Sequence, residues 1–219
     1  MSQSTMNCNL RTPLSDREIV TKIWFSPRVV FRLLNDGSQA NNHDGLVKLL
    51  LFLGGISRAF DRAMAKDFGD KLPLLAIIAI CVVMGGLFGW ISFYIYALFM
   101  SWTGKWLKGT GNTASILRVM AYSMIPSACG LILLVVQIFL FGNGMFESDF
   151  DLTYFGLFKN VVFWSCLILE IALFVWSTVL FVVGVSEAQK FSIGKSILNI
   201  LMPGLLLVAL IFLIALLVK

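Results

Sequence analysis

The amino-acid sequence predicts an all-α, polytopic transmembrane helical bundle, and three observations carry that prediction. The 219-residue chain is 58% hydrophobic and 13% charged, with a mean hydropathy of +0.88, whereas soluble domains are about half apolar and a quarter charged. Four stretches, Leu72–Gly104, Val119–Phe146, Asn160–Ser186 and Ser196–Val218, are uncharged apart from Glu170. Each exceeds the ~18 residues that a spanning helix requires. Within them apolar residues run on continuously instead of alternating with polar ones, which is the pattern of helices and not of a closed barrel. Five spans are expected if the shorter segment Leu46–Ser57 also crosses. The alternative is four spans plus a re-entrant or interfacial helix.

The chain divides into three parts. Residues 1–22 read as a flexible polar tail, poor in large apolar side chains. Its opening, MSQSTMNCNLRTPLSDRE, lacks the apolar core of a cleavable signal. Residues 23–45 contain IWFSPRVVFRLLND, where Ser26 suits an N-cap and Pro27 a first helical turn. Arg28 and Arg32 share one face at i, i+4, and Val30, Phe31, Leu33 and Leu34 populate the other. Trp24 and Phe25 are aromatics of the kind that settle at headgroup level. The segment reads as a cytoplasmic amphipathic helix lying on the membrane, its arginines facing lipid phosphates. A helix packed on its own bundle is the alternative.

Residues 46–219 form the transmembrane domain. Between Lys48 and Arg58 the uncharged stretch is short for a span unless both side chains snorkel. The distribution of Lys and Arg puts the N-terminus in the cytoplasm with either four or five spans, by a somewhat wider margin with four. Gly85 and Gly89 have the small-xxx-small spacing that lets two helices approach closely. The loop GKWLKGTGNTAS, residues 104–115, is glycine-rich and feeds a helix N-terminus. With Lys105, Lys108 and Arg118 beside it, a lipid phosphate is a fitting guest; an ordinary turn with anchoring lysines is the alternative. Further on, Tyr122, Pro126 and Gly130 recur at i, i+4, i+8. Pro126 is expected to kink its span, with Ser123 or Ser127 covering the freed backbone groups, and the kink frames either a polar cavity or a packing contact. Glu170 stands alone in the third long stretch, where an unpartnered acid costs roughly 2.5–3.5 kcal/mol on insertion scales. It is expected to face the bundle interior.

Several chemistries are excluded. The net charge of +5 belongs to membrane-flanking loops, and no basic patch interleaved with aromatics points to nucleic acid. GKWLKGTG is not a nucleotide-binding loop, and Gly194-Lys195-Ser196 lacks the upstream glycine and strand of one. The single histidine, His43, lies in a polar loop without metal-ligand spacing. Cys81, Cys129 and Cys166 lie in apolar runs and are expected to be small buried hydrophobes, while Cys8 sits in the tail. No catalytic residue, metal or cofactor is expected.

A resemblance emerges from longer segments. WTGKWLKGTGNTASILRVMAYSMIP and VWSTVLFVVGVSEAQKFSIGKSILNILMPG, with IWFSPRVVFRLL and GGISRAFDRAMAKDFGD ahead of them, resemble the bacterial branch of the Yip family. These multispanning proteins are named in eukaryotes for interacting with Ypt and Rab GTPases. The likeness runs from Ile23 to the C-terminus. Its most specific element is AYSxIP, covering Ala121, Tyr122, Ser123, Ile125 and Pro126. It implies five spans in a bacterial inner membrane, a cytoplasmic N-terminus, a C-terminus on the far side and no catalysis. A bacterial chain has no Rab-type GTPase to serve, so that partner is not carried over. Glu170 matches no family pattern.

Two functions are therefore weighed. One is a non-enzymatic integral membrane protein that organises lipids or a membrane complex, its partners being the bilayer and either other membrane proteins or a second copy. The other is a lipid or small-molecule translocator built on Glu170, Pro126 and the Pro203-Gly204 pair. No inverted hydropathy repeat supports the second.

Overall fold

A computed structural model of the protein describes residues 15–35 and 44–217. Cys8 and His43 lie outside the described residues. Among the described residues there are nine α-helices and no strand: α1 Asp16–Lys22, α2 Pro27–Asn35, α3 Asp44–Ala65, α4 Leu74–Ile80, α5 Gly86–Trp106, α6 Thr113–Ser123, α7 Ile125–Phe141, α8 Leu157–Gln189 and α9 Ile193–Leu217. A single π-helical turn, Cys81–Gly85, joins α4 to α5.

Order begins earlier than composition suggested. Ser15 and Glu18 form a reciprocal capping box that starts α1: the Glu18 N–H donates to Ser15 Oγ at 3.3 Å, and the Ser15 N–H donates to the Glu18 carboxylate at 3.0 Å. That N–H and then the Lys22 ammonium hold the Glu18 carboxyl below its ordinary range. Part of the expected flexible tail is thus a capped helix, and the Ser-x-x-Glu spacing was its signal.

Helix α2 follows its expected bounds but spends its apolar face on the bundle. Val30, Phe31 and Leu34 are buried, and the Phe31 ring sits against Gly184 of α8, where a Cβ would come within 3.0 Å of it. Arg28, Phe25 and Val29 stay exposed. The alternative of a helix packed on its own bundle describes that inner face, and only the outer face is free to meet a membrane.

Four helical units are long and apolar enough to cross a membrane: Leu74–Trp106, Ile125–Phe146, Leu157–Gln189 and Ile193–Leu216. The expected fifth is not among them. Helix α3 is 22 residues long, but Asp44, Lys48, Arg58, Asp61 and Arg62 dilute its hydropathy. It is nonetheless part of the bundle. Gly55 of α3 meets Gly85 and Gly89, where added Cβ atoms would lie 2.8 Å from the Gly55 carbonyl oxygen and 2.5 Å from its Cα. The small-residue spacing is a backbone-to-backbone contact. The segment after α3 packs on the segment after α7, with the Asn143 amide donating to the Gly69 carbonyl at 3.0 Å. Helix α3 therefore runs along the other helices and ends where α7 ends.

The second stretch, Val119–Phe146, is two helices and not one kinked helix. Helix α6 ends at Ser123, Met124 forms a turn and α7 starts at Ile125. Pro126 falls in the first turn of α7, where its missing N–H breaks no helical bond. The break also shifts the register: Tyr122 is fully buried in the core, while Gly130 has open space before it. Cys81 and Cys166 are buried as expected, but Cys129 is exposed, because this register turns it off the packed face of α7.

Candidate functional site: a polar cavity inside the bundle

Three periodic stripes build the site. On α3, Gly54, Ser57, Arg58, Asp61 and Met64 recur at three- and four-residue spacing. On α6 and α7, Ser123, Ser127, Gly130 and Gln137 do the same, and on α8 so do Glu170, Ser177 and Thr178. These faces line a half-open cavity of about 960 Å³, with Ser92 and Tyr96 of α5 on one side. Apolar wall is supplied by leucines such as Leu131, Leu134, Leu167 and Leu173, and by Met120, Met124 and Met145. Phe150 and Phe163 line one end, where they belong to an aromatic cluster with Phe141 and Phe155. The Lys159 ammonium lies 5.0 Å from the Phe155 ring and donates to the Leu140 carbonyl at 2.7 Å.

Glu170 is half-buried on this wall, facing inward as expected. Its partner is Gln137, whose side-chain amide donates to Glu170 Oε1 at 2.8 Å. Nearby, the Ser127 N–H, one of the donors left free at the start of α7, is accepted by Ser177 Oγ at 3.1 Å, and the two hydroxyls lie 2.7 Å apart. Ser123 also faces the cavity, its hydroxyl donating to the Met120 carbonyl at 2.9 Å. Tyr122 does not join it. Its hydroxyl is buried without a partner among the described residues.

Arg58 and Asp61 are the residues that sequence reasoning missed. Arg58 is expected only as a charge flanking a short span and Asp61 stands out in no pattern, but both sit in the body of α3 and keep accessible surface that opens on the cavity. Arg58 stacks on Phe93, its guanidinium carbon 4.3 Å from the ring centroid. Neither belongs to the ion pairs among the described residues, which are Lys22–Glu18 and Arg32–Glu187. Asp61 is within electrostatic reach of both Arg58 and Glu170. The signal was present as the i, i+3, i+4, i+7 spacing of Gly54, Ser57, Arg58 and Asp61.

The basic residues expected at lipid headgroups lie elsewhere. Arg28, Lys105 and Lys108 are exposed at the end of the bundle where α8 finishes, and Lys108 adopts a left-handed backbone, φ 65°. Arg32 pairs with Glu187 at 3.5 Å, and Arg118 donates to the Leu34 carbonyl at 3.1 Å, closing the C-terminus of α2. The glycine-rich loop is occupied from within: the Gly111 N–H donates to Gln189 Oε1 at 3.0 Å and the Thr110 N–H to the Gln189 carbonyl at 3.3 Å. Asn199 completes this knot by donating to the Met100 carbonyl at 3.2 Å and accepting from Thr103 Oγ1 at 3.2 Å. Among the described residues no three His, Cys, Asp or Glu side chains stand together as metal ligands.

An all-helical bundle with four apolar crossing-length helices and a polar internal cavity defines a polytopic integral membrane protein. The chain belongs to the Yip family, since the family model described as the Yip1 domain matches residues 21–216. No curated protein and no solved structure matches it.

Proposed function

We propose that this Yip-family protein is a non-enzymatic membrane factor that organises lipids by holding one in the cavity between α3, α7 and α8. The observation that carries the reading is the cavity itself. Its ~960 Å³ lies at the upper end of the range for specific ligand sites, and it joins apolar walls to charged and hydroxyl groups as an amphiphile does. The protein then sits in a bacterial inner membrane with its N-terminus in the cytoplasm. Arg28, Lys105 and Lys108 gather at the α2 end of the bundle, which agrees with the excess of basic residues on cytoplasmic faces. Arg28, Arg32, Lys105, Lys108 and Arg118 remain the proposed contacts for headgroups at that surface, with Arg32 and Arg118 shared with their protein partners.

Gly130 offers a direct test, because a Cβ there meets no atom within 4 Å and a larger side chain projects into the cavity that Gly130 lines. Wild-type protein purified in mild detergent is expected to retain about one phospholipid per chain, counted by lipid extraction and mass spectrometry, and Gly130→Leu to lose it. Equal retention by both would reduce the bound lipid to a surface film.

A second reading, translocation, is favoured by one observation, the placement of Glu170 on the cavity wall with Gln137 as its partner. Proteoliposomes carrying fluorescent lipid decide between the two: translocation requires flux that Glu170→Gln abolishes. The five-span topology is also proposed, with α3 crossing because Arg58 and Asp61 face the cavity and not the acyl chains. A reporter fused to the C-terminus is expected on the side opposite the cytoplasm.

A further inference from the structure

Resting on the reading that the cavity holds a lipid, the arrangement of its charges names the headgroup. Arg58 and Asp61 stand three residues apart on one face of α3, about 4.5 Å along the helix axis. They are not spent on each other, since neither is in an ion pair within the described residues. Arg58 stacks on the Phe93 ring and lines the cavity, and its side-chain N–H donors have no hydrogen-bond acceptor among the described residues. The Asp61 side chain has no hydrogen bond among the described residues; it lines the same cavity as Glu170 and lies within electrostatic reach of it. Both side chains keep exposed surface on the cavity, so each is free to take a charged group of a ligand.

We infer that the cavity selects a phospholipid whose headgroup joins a phosphate to a primary ammonium, with the phosphate on Arg58 and the ammonium on Asp61, toward Glu170. The phosphate accepts two N–H donors from a planar guanidinium. The ammonium supplies three donors to carboxylate oxygens that otherwise face no donor but the Gln137 amide. A glycerol headgroup brings the phosphate alone and leaves Asp61 and Glu170 uncompensated. A choline headgroup carries the positive charge but has no N–H to donate. Leu131, Leu134 and Leu173 continue the wall for the upper part of the acyl chains.

The full-length protein is reconstituted in nanodiscs of equimolar phosphatidylethanolamine, phosphatidylglycerol and phosphatidylcholine, re-extracted in mild detergent, and its retained lipid is analysed by mass spectrometry. The ethanolamine lipid is expected at ~10-fold or more over the other two, the ratio that a charge-assisted hydrogen bond supports. A series with one, two and three N-methyl groups is expected to fall stepwise. Asp61→Asn, which keeps size and helix packing, removes the preference for the ethanolamine over the choline lipid while Gly130→Leu removes retention altogether. Retention of glycerol or choline lipid at the same level as ethanolamine lipid, or an unchanged preference in Asp61→Asn, overturns the headgroup assignment and leaves the lipid-holding reading intact. Absence of any lipid that Gly130→Leu displaces overturns both. Thermal melting of each variant in the same detergent separates lost selectivity from lost fold.

Discussion

Two polar regions inside the bundle have opposite characters. Around Gln189 and Asn199, side chains that are fully buried find partners within the protein: Gly111, Met100 and Thr103 give the oxygen and the nitrogen of each amide a hydrogen bond. Around Arg58, Asp61 and Glu170 the polar groups are more strongly charged, yet the protein supplies them with one amide and one aromatic ring. Burial of polar groups is tolerated where the network is complete. The first region is accordingly a staple that fixes the α5–α6 loop against α8 and α9. The second keeps accessible surface on the cavity, with Arg58 and Asp61 exposed and Glu170 half-buried. Density of polar residues does not separate the two; burial and closed pairing do.

That contrast is broken most severely at the staple. Gln189→Leu leaves the Gly111 N–H buried without its acceptor and is expected to destabilise the protein by about 1–3 kcal/mol, read as a lowered melting temperature in detergent. A melting point equal to wild type would mean that water reaches the knot. Next comes Ser177→Ala, which removes the acceptor of the Ser127 N–H at the start of α7 and is expected to cost about 1 kcal/mol. The lesson is sharpened at the outer surface by a peptide covering Thr21–Asn35. Arg28 and Arg32 are each expected to add roughly 1 kcal/mol of binding to anionic vesicles, lost as salt rises; equal partition onto neutral vesicles would leave α2 a packing element alone. The smallest effect belongs to Glu170→Gln. An amide there still accepts from Gln137, and interhelical hydrogen bonds in membranes average only ~0.6 kcal/mol, so the melting point is expected to stay at the wild-type value.

Much of the fold was legible in the sequence because lipid makes apolar length decisive. The four long stretches, the Gly85–Gly89 contact and the start of α2 at Pro27 were all open to local reading. The cavity was not, since it needs three helices at once and each contributes only a stripe. Glu170 was conspicuous as a charge among apolar neighbours. Gln137, its partner, is neutral and drew no notice. Arg58 and Asp61 were hidden by the opposite circumstance: α3 carries enough charge that Arg58 looked like the edge of a short span and Asp61 like one more surface charge. Pro126 misled in a different way, because proline inside an apolar run reads as a kink until the turn at Met124 is seen to end one helix and begin another. The glycine-rich loop looked ready for an anion, and only the fold brings Gln189, 78 residues away, to its N–H groups.

The contact of Gly55 with Gly85 and Gly89 limits how this molecule is able to deform. Two backbones touching without side chains between them interlock like cogs, so α3 has no slack in which to roll about its own axis. The backbone that carries Arg58 and Asp61 is thereby held at a set distance from α5.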